Sequence, residues 1–224
     1  MLVLALVSVF ATAPSHADQN DLQSWTILNA NVPISNDKRW QIYFEAQPRM
    51  GDDISQMERL LIRPALGYRY DEQLTFHLGY AWTPTFMDTE YQSDFRNENR
   101  IWQQATFSHS LGYVEIVHRL RQEQRFIDDA SSVSNRFRYL LRGSYKFCDC
   151  QDWGITGYNE LFVNLNSVEQ GPRAGFDRNR VFAGPFFEIG KSRLEVGYIG
   201  EYGKRFGNDE RMIHALATAY TLNF

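Results

Sequence analysis

The side chains able to do chemistry are few and scattered along this chain. Nucleophilic hydrolysis needs a Ser with a His in hydrogen-bond reach and an acid behind it. The nearest arrangement is Phe107-Ser108-His109-Ser110 with Glu115 close by. In extended chain, successive side chains face opposite sides, so His109 and Ser110 do not pair without a bulge, and a bland turn outweighs catalysis there. A rim protease would need a His among acids. Asp209, Glu210 and His214 are neighbours in sequence, but the alternation puts His214 on the apolar side, with no second acidic pair to match. His77 stands alone at mid-strand and reads as a hydrogen-bonded wall residue. The five histidines have no metal-ligand spacing. Cys148 and Cys150 flank Asp149; a one-residue gap makes a strained bridge, and the pair reads as incidental rather than as a redox or metal site. No catalytic, cofactor-binding or metal site is assigned, and no cofactor is expected.

Arginine is what the chain has in quantity, 19 against only 4 lysines. Its planar fork can hold both oxygens of a carboxylate, which suits paired networks. Most of these arginines alternate with apolar residues, so their positions depend on the strands that carry them. Arg39 to Arg49 sets Trp40, Ile42, Phe44, Ala46 and Pro48 against Gln41, Tyr43, Glu45, Gln47 and Arg49. Arg59 to Tyr70 sets Leu60, Ile62, Pro64 and Leu66 against Arg59, Arg63 and Arg69. Period two of this kind places one set on each face of a strand. Seven further segments, from Leu74 to Tyr202, repeat the pattern, and Met212 to Phe224 closes it. Short connections near 71–72, 110–111, 148–152 and 190–192 alternate with longer polar ones at 51–56, 85–97, 128–135, 166–177 and 204–210. Short turns at one end and longer loops at the other mark a transmembrane barrel. The aromatic fraction of 15% fits interfacial girdles, and a barrel's alternation keeps the mean hydropathy at -0.44.

These features predict an all-β fold, a transmembrane up-and-down antiparallel β-barrel of about ten strands, with twelve as the alternative. Residues 1–17 read as a cleavable signal peptide, because Leu2 to Phe10 is apolar apart from Ser8 and Ser15-His16-Ala17 offers a small-residue cleavage site. Residues 18–38 are expected to form an N-terminal arm or an extra strand. Trp25, Ile27 and Leu28 look strand-like, but one more crossing would make eleven and break the even count. Residues 39–224 form the barrel domain. The destination is the outer membrane of a Gram-negative bacterium, with lipid and lipopolysaccharide around it. The alternate Tyr220, Leu222 and Phe224 serve as a closing-strand signal for periplasmic chaperones and the barrel-assembly machinery. A net charge of -4 with no basic tract excludes nucleic acid as a partner.

The chain resembles the outer-membrane family known as domain of unknown function 2490. The resemblance rests on the run R-W-Q-I-Y-F-E-A-Q-P-R ending at Arg49, L-L-I-R-P-A-L-G-Y at 60–68, His77 to Trp82 with Gly79-Tyr80, and E-N-R-I-W-Q-Q at 98–104. It covers the whole mature chain and implies a barrel and an outer-membrane address. It carries no activity and no site residues.

The inward residues are the remaining candidates. Hairpin register sets Glu188 against Arg193 and Arg180 against Glu201, brings Glu123 near Arg138, and leaves Glu98 and Glu123 diagonal to Arg121 and Arg100. With Arg63 and Glu160 these form an expected lumen charge ladder. Filling a small barrel's interior already accounts for such a ladder, since charge there must be paired. A charged conduit or anion-binding lumen is the functional alternative. Inward Tyr43, Leu61, Trp102, Phe182 and Phe186 argue for a plugged lumen over a wide pore. The function expected is therefore a structural or porin-like small-solute or anion conduit of unknown ligand. A lipid-modifying or proteolytic barrel enzyme is the alternative.

Overall fold

The alternating segments form strands throughout the computed structural model, which describes residues 20–89, 92–148, 151–204 and 210–224. The expected signal peptide at 1–17, Cys150 and Asp209 lie outside the described residues. In chain order the strands are β1 (Asn20–Pro33), β2 (Trp40–Gly51), β3 (Gln56–Arg69), β4 (Leu74–Trp82), β5 (Thr85–Thr89), β6 (Gln92–Arg96), β7 (Glu98–Leu111), β8 (Val114–Ile127), β9 (Ser134–Lys146), β10 (Trp153–Asn164), β11 (Gly175–Ile189), β12 (Ser192–Lys204) and β13 (Glu210–Asn223). A strand of 13 residues such as β9, tilted as barrel strands are, rises roughly 33 Å, enough to cross an apolar band of about 25 Å.

Each strand pairs with its neighbour in the ring β1, β2, β3, β4, β7, β8, β9, β10, β11, β12 and β13, and β13 returns to β1. The ring therefore holds eleven strands, not ten or twelve. Directions that alternate around a closed ring must be even in number, so an odd ring needs one parallel junction. That junction is β1 with β13, running in register from Asn20↔Met212 to Asn31↔Asn223. Of the arm and the extra strand expected for residues 18–38, the structure has the strand, a member of the wall: Gln23 and Trp25 are buried inside, while Leu22, Leu28 and Val32 face out. The even-count rule misplaced it because it holds only for purely antiparallel rings. One consequence is that Asn20 and Phe224 lie at opposite ends of the barrel.

The outer loop expected at 85–97 is partly regular. β5 and β6 form a hairpin that continues from the edge of β3 through Arg59↔Thr85. At the other end, aromatic residues mark an interface, with Trp40 on Tyr68 at 4.9 Å and Phe147 on Trp153 at 4.7 Å between ring centroids. The β1–β2 turn there is tied by Asp37, whose carboxylate accepts from Ser35 Oγ (2.6 Å) and Arg39 N–H (3.1 Å) and is thereby held below the usual aspartate range. Cys148, in the β9–β10 turn, is disulfide-bonded.

Outward positions carry Ile42, Phe44, Leu66, Leu78, Ile101, Leu120, Val196 and Leu216, all exposed. An exposed belt of this size is tolerable only in lipid. Inside, among the described residues, buried apolar side chains gather in two small clusters, with Leu61, Leu140, Phe162 and Phe186 buried apart from them. Trp25, Phe182, Ile199, Ile213, Ala215 and Ala217 form one, and Ala65, Ala81 and Trp102 form the other. Trp102 lies flat across the wall because Gly79 leaves room for it: a Cβ there would sit 2.5 Å from the indole. Its Nε1–H donates to Tyr80 O at 3.1 Å.

Candidate functional site

Strand parity delivers the arginines to the interior, where two kinds of environment result. Across β8 to β12 the carboxylates are saturated. Glu123, fully buried, accepts from Arg136 Nη2 at 2.6 Å and Arg138 Nη1 at 2.7 Å, with Arg100 at 4.0 Å. Glu160 accepts from Arg138 Nη2 at 2.6 Å and Arg119 Nη2 at 2.7 Å, and lies 3.5 Å from Arg180. Glu201 joins Arg178 (2.9 Å) to Arg180 Nε (2.8 Å); outside this wall, between β2 and β3, Glu45 holds the single cation Arg63 at 2.7 Å. Phe162 sits among these arginines, with Arg138 over its ring at 4.5 Å.

Arg180 and Glu201 face each other in register, as do Glu188 and Arg193. The latter two spend their charges elsewhere: Glu188 accepts from Lys146 Nζ at 2.6 Å, and Arg193 lies 2.8 Å from Glu195. Glu123 is opposite Arg136 rather than Arg138, yet bonds both. Glu98 takes Arg100 and Arg125, leaving Arg121 to donate to Gln104 Oε1. Arg119, Arg125, Arg136, Arg142, Arg178, Asp177 and Glu195 belong to the same network and were missed by hairpin reasoning. Inward parity was the signal for them, but most bond across two strands, which pairwise register does not reveal.

The second environment lacks carboxylates. Among the described residues, Arg49, Arg59 and Arg121 have no carboxylate oxygen within 4 Å. Arg121 stacks on Trp102 at 4.5 Å and Arg49 on Trp25 at 3.7 Å. An aromatic face attracts a cation but does not neutralise it. Arg49 and Arg59 line a cavity of about 620 Å³ that runs from the long-loop mouth, at Arg173 and Arg211, down to Asn29 and Thr221. Gln23 to Asn29 on β1 alone spans roughly 20 Å of strand. Among the described residues, fourteen arginines and Lys204 line it against seven carboxylates, an excess of eight positive charges. Glu123 and Arg121, buried in the same inward layer, cancel each other and leave that excess unchanged. The chain as a whole is at -4. A low-dielectric wall focuses such a field along the lumen.

The catalytic candidates are not assembled. Ser108 Oγ lies 3.5 Å from Glu115, at the limit of a hydrogen bond. His109 is on the outer face, its ring stacked 5.8 Å from His118, which bonds Tyr139. His214 also faces out and bonds Tyr198. His77 packs on Tyr43 and approaches Gln41 Nε2 at 3.2 Å. No group of three metal-ligating side chains occurs among the described residues. Tyr220, Leu222 and Phe224 line up along the outer side of the last strand, and Phe224 N–H donates to Asn31 O across the parallel seam.

A β-barrel crossing an apolar layer with an arginine-rich interior defines the class. The family model described as "Protein of unknown function (DUF2490)" matches residues 22–212, and the chain belongs to that family. An uncharacterized protein of Methylorubrum extorquens is 35% identical over 181 residues, 78% of this chain and 77% of that one. A solved structure of a loop-deletion mutant of OmpT, an outer membrane protein of Vibrio cholerae, aligns at a TM-score of 0.41 with 13% identity, over 77% of this chain. The chain spans 59% of the length of that protein.

Proposed function

We propose that this protein is an outer-membrane barrel whose narrow lumen admits small anions in preference to cations. The observation that supports this is the excess of eight positive charges around the cavity. Filling a barrel requires charges to be paired, not to be of one sign, and like charge held in a dry wall costs stability. Persistence of the excess is therefore better accounted for by an anionic occupant than by packing. In this reading the closing residues Tyr220, Leu222 and Phe224 direct assembly, and the aromatic rims meet phospholipid on one side and lipopolysaccharide on the other.

Swelling of proteoliposomes in isotonic potassium salts, with valinomycin carrying K⁺, tests the proposal. Chloride and acetate salts should drive swelling well above that of empty vesicles. Swelling no faster than in empty vesicles would remove the conduit. The lipid-modifying alternative has its own readout, acyl release from labelled lipopolysaccharide or phospholipid, and the separation of His109 from Ser108 and Ser110 leads us to expect none.

A further inference from the structure

We propose that the mouth of the lumen holds a specific oxoanion site formed by Arg49 and Arg59, which takes a phosphate or sulfate group. The two residues are directly opposite across the β2–β3 ladder, and like charges in such a pair repel. Neither has a carboxylate partner among the described residues. Arg49 is only 6% exposed and its Nε–H has no acceptor; its Nη2 donates to Gln47 Oε1 at 3.2 Å. Arg59 spends only its Nε–H, on Thr85 Oγ1 at 3.1 Å. Both line the cavity.

The acid next in sequence is already committed. Glu58 accepts from Gln23 Nε2 at 2.6 Å and from Arg211 Nη1 at 3.0 Å. Gln23 in turn accepts from Trp25 Nε1 at 2.6 Å, and the Trp25 ring carries Arg49. The neighbours thus hold the two guanidinium groups in place, and Glu58 acts on them only from beyond ion-pair distance, as a preorganised binding site requires.

The geometry selects among anions. One fork satisfies both oxygens of a carboxylate, so a second fork on the neighbouring strand, turned toward Thr85 while the first lies on Trp25, has nothing left to hold. A tetrahedral phosphate or sulfate group offers further oxygens to the second fork. The site is therefore expected to favour these over acetate at equal ionic strength, where general screening is the same.

The inference rests on an anion-admitting lumen, but it is tested by equilibrium binding, which needs no conduction. Thermal unfolding of detergent-folded protein is followed by tryptophan fluorescence in chloride, acetate and inorganic phosphate. Phosphate should raise the wild-type midpoint through ligand linkage, and acetate should match chloride. In R59Q, and in R49Q/R59Q, phosphate affinity should fall at least about tenfold, the loss expected of charged hydrogen bonds. R59Q keeps the test open if the double variant does not fold, because Arg59 is half-buried and has a single polar contact. An equal phosphate response in wild type and R59Q would overturn the site, as would acetate matching phosphate. Phosphate binding lost in R59Q, in a protein that passes no anions, would uphold the site and defeat only the conduit.

Discussion

The β8 to β12 wall and the β2–β3 mouth use the same residue type to opposite effect. In the wall each guanidinium that meets Glu123 or Glu160 shares it with another, and the other buried carboxylates of β11 and β12, Asp177, Glu195 and Glu201, are likewise held by two cations each. At the mouth Arg49 and Arg59 are partners across the ladder, one lying on Trp25 and the other bonded to Thr85, with no carboxylate oxygen of the described residues within 4 Å of either. The wall is what closing a narrow barrel around charged side chains demands. The mouth is not, because a polar uncharged pair would fill the same space at lower cost. Pairing is thus a marker of architecture in this interior, and two unpaired arginines side by side on the cavity wall are the marker of a site.

Substitutions should separate the two regions. The largest effect is expected from Glu160→Gln, which strips the carboxylate from Arg119, Arg138 and Arg180 and should destabilise the barrel by about 3–5 kcal/mol in urea titrations. A change under 1 kcal/mol, on the order of a surface substitution, would mean the wall is not held by its ion pairs. Arg121→Met removes a buried cation whose Nη1 has no partner and should stabilise by about 1 kcal/mol; destabilisation would show that its stacking on Trp102 outweighs its desolvation. Without ligand, R49Q/R59Q should unfold at the same or slightly higher denaturant, a gain of about 0.5–1 kcal/mol from removing a like-charge pair. Clear destabilisation there would make the mouth a structural feature like the wall. Ser108→Ala should leave both stability and permeation unaltered, and any loss of a lipid-directed activity in it would reopen the enzyme reading.

The barrel was legible because period-two alternation is local: Trp40 to Arg49 declares both faces without knowledge of any neighbour. Loop lengths added polarity. The seam was not legible, since nothing in Leu22 to Val32 tells whether the strand beside it runs parallel, and the even-count rule pushed Trp25 out of the wall. For the interior, register between adjacent strands gave Arg180 with Glu201, where the two residues are direct partners. It did not give Arg119 with Glu160 or Arg136 with Asp177, because these bonds skip a strand. The unpaired mouth was the least legible part. Arg49 and Arg59 were both readable as inward, but the absence of an acid between them depends on where Glu58 turns, and Glu58 turns toward Gln23 and Arg211.

The most direct test of an anion-selective lumen is the reversal potential of the purified protein in a planar bilayer under a tenfold potassium chloride gradient. Preference for the anion lets chloride leave the concentrated side, which should settle positive. A concentrated side that settles negative, or a folded protein that passes no current at all, would contradict it.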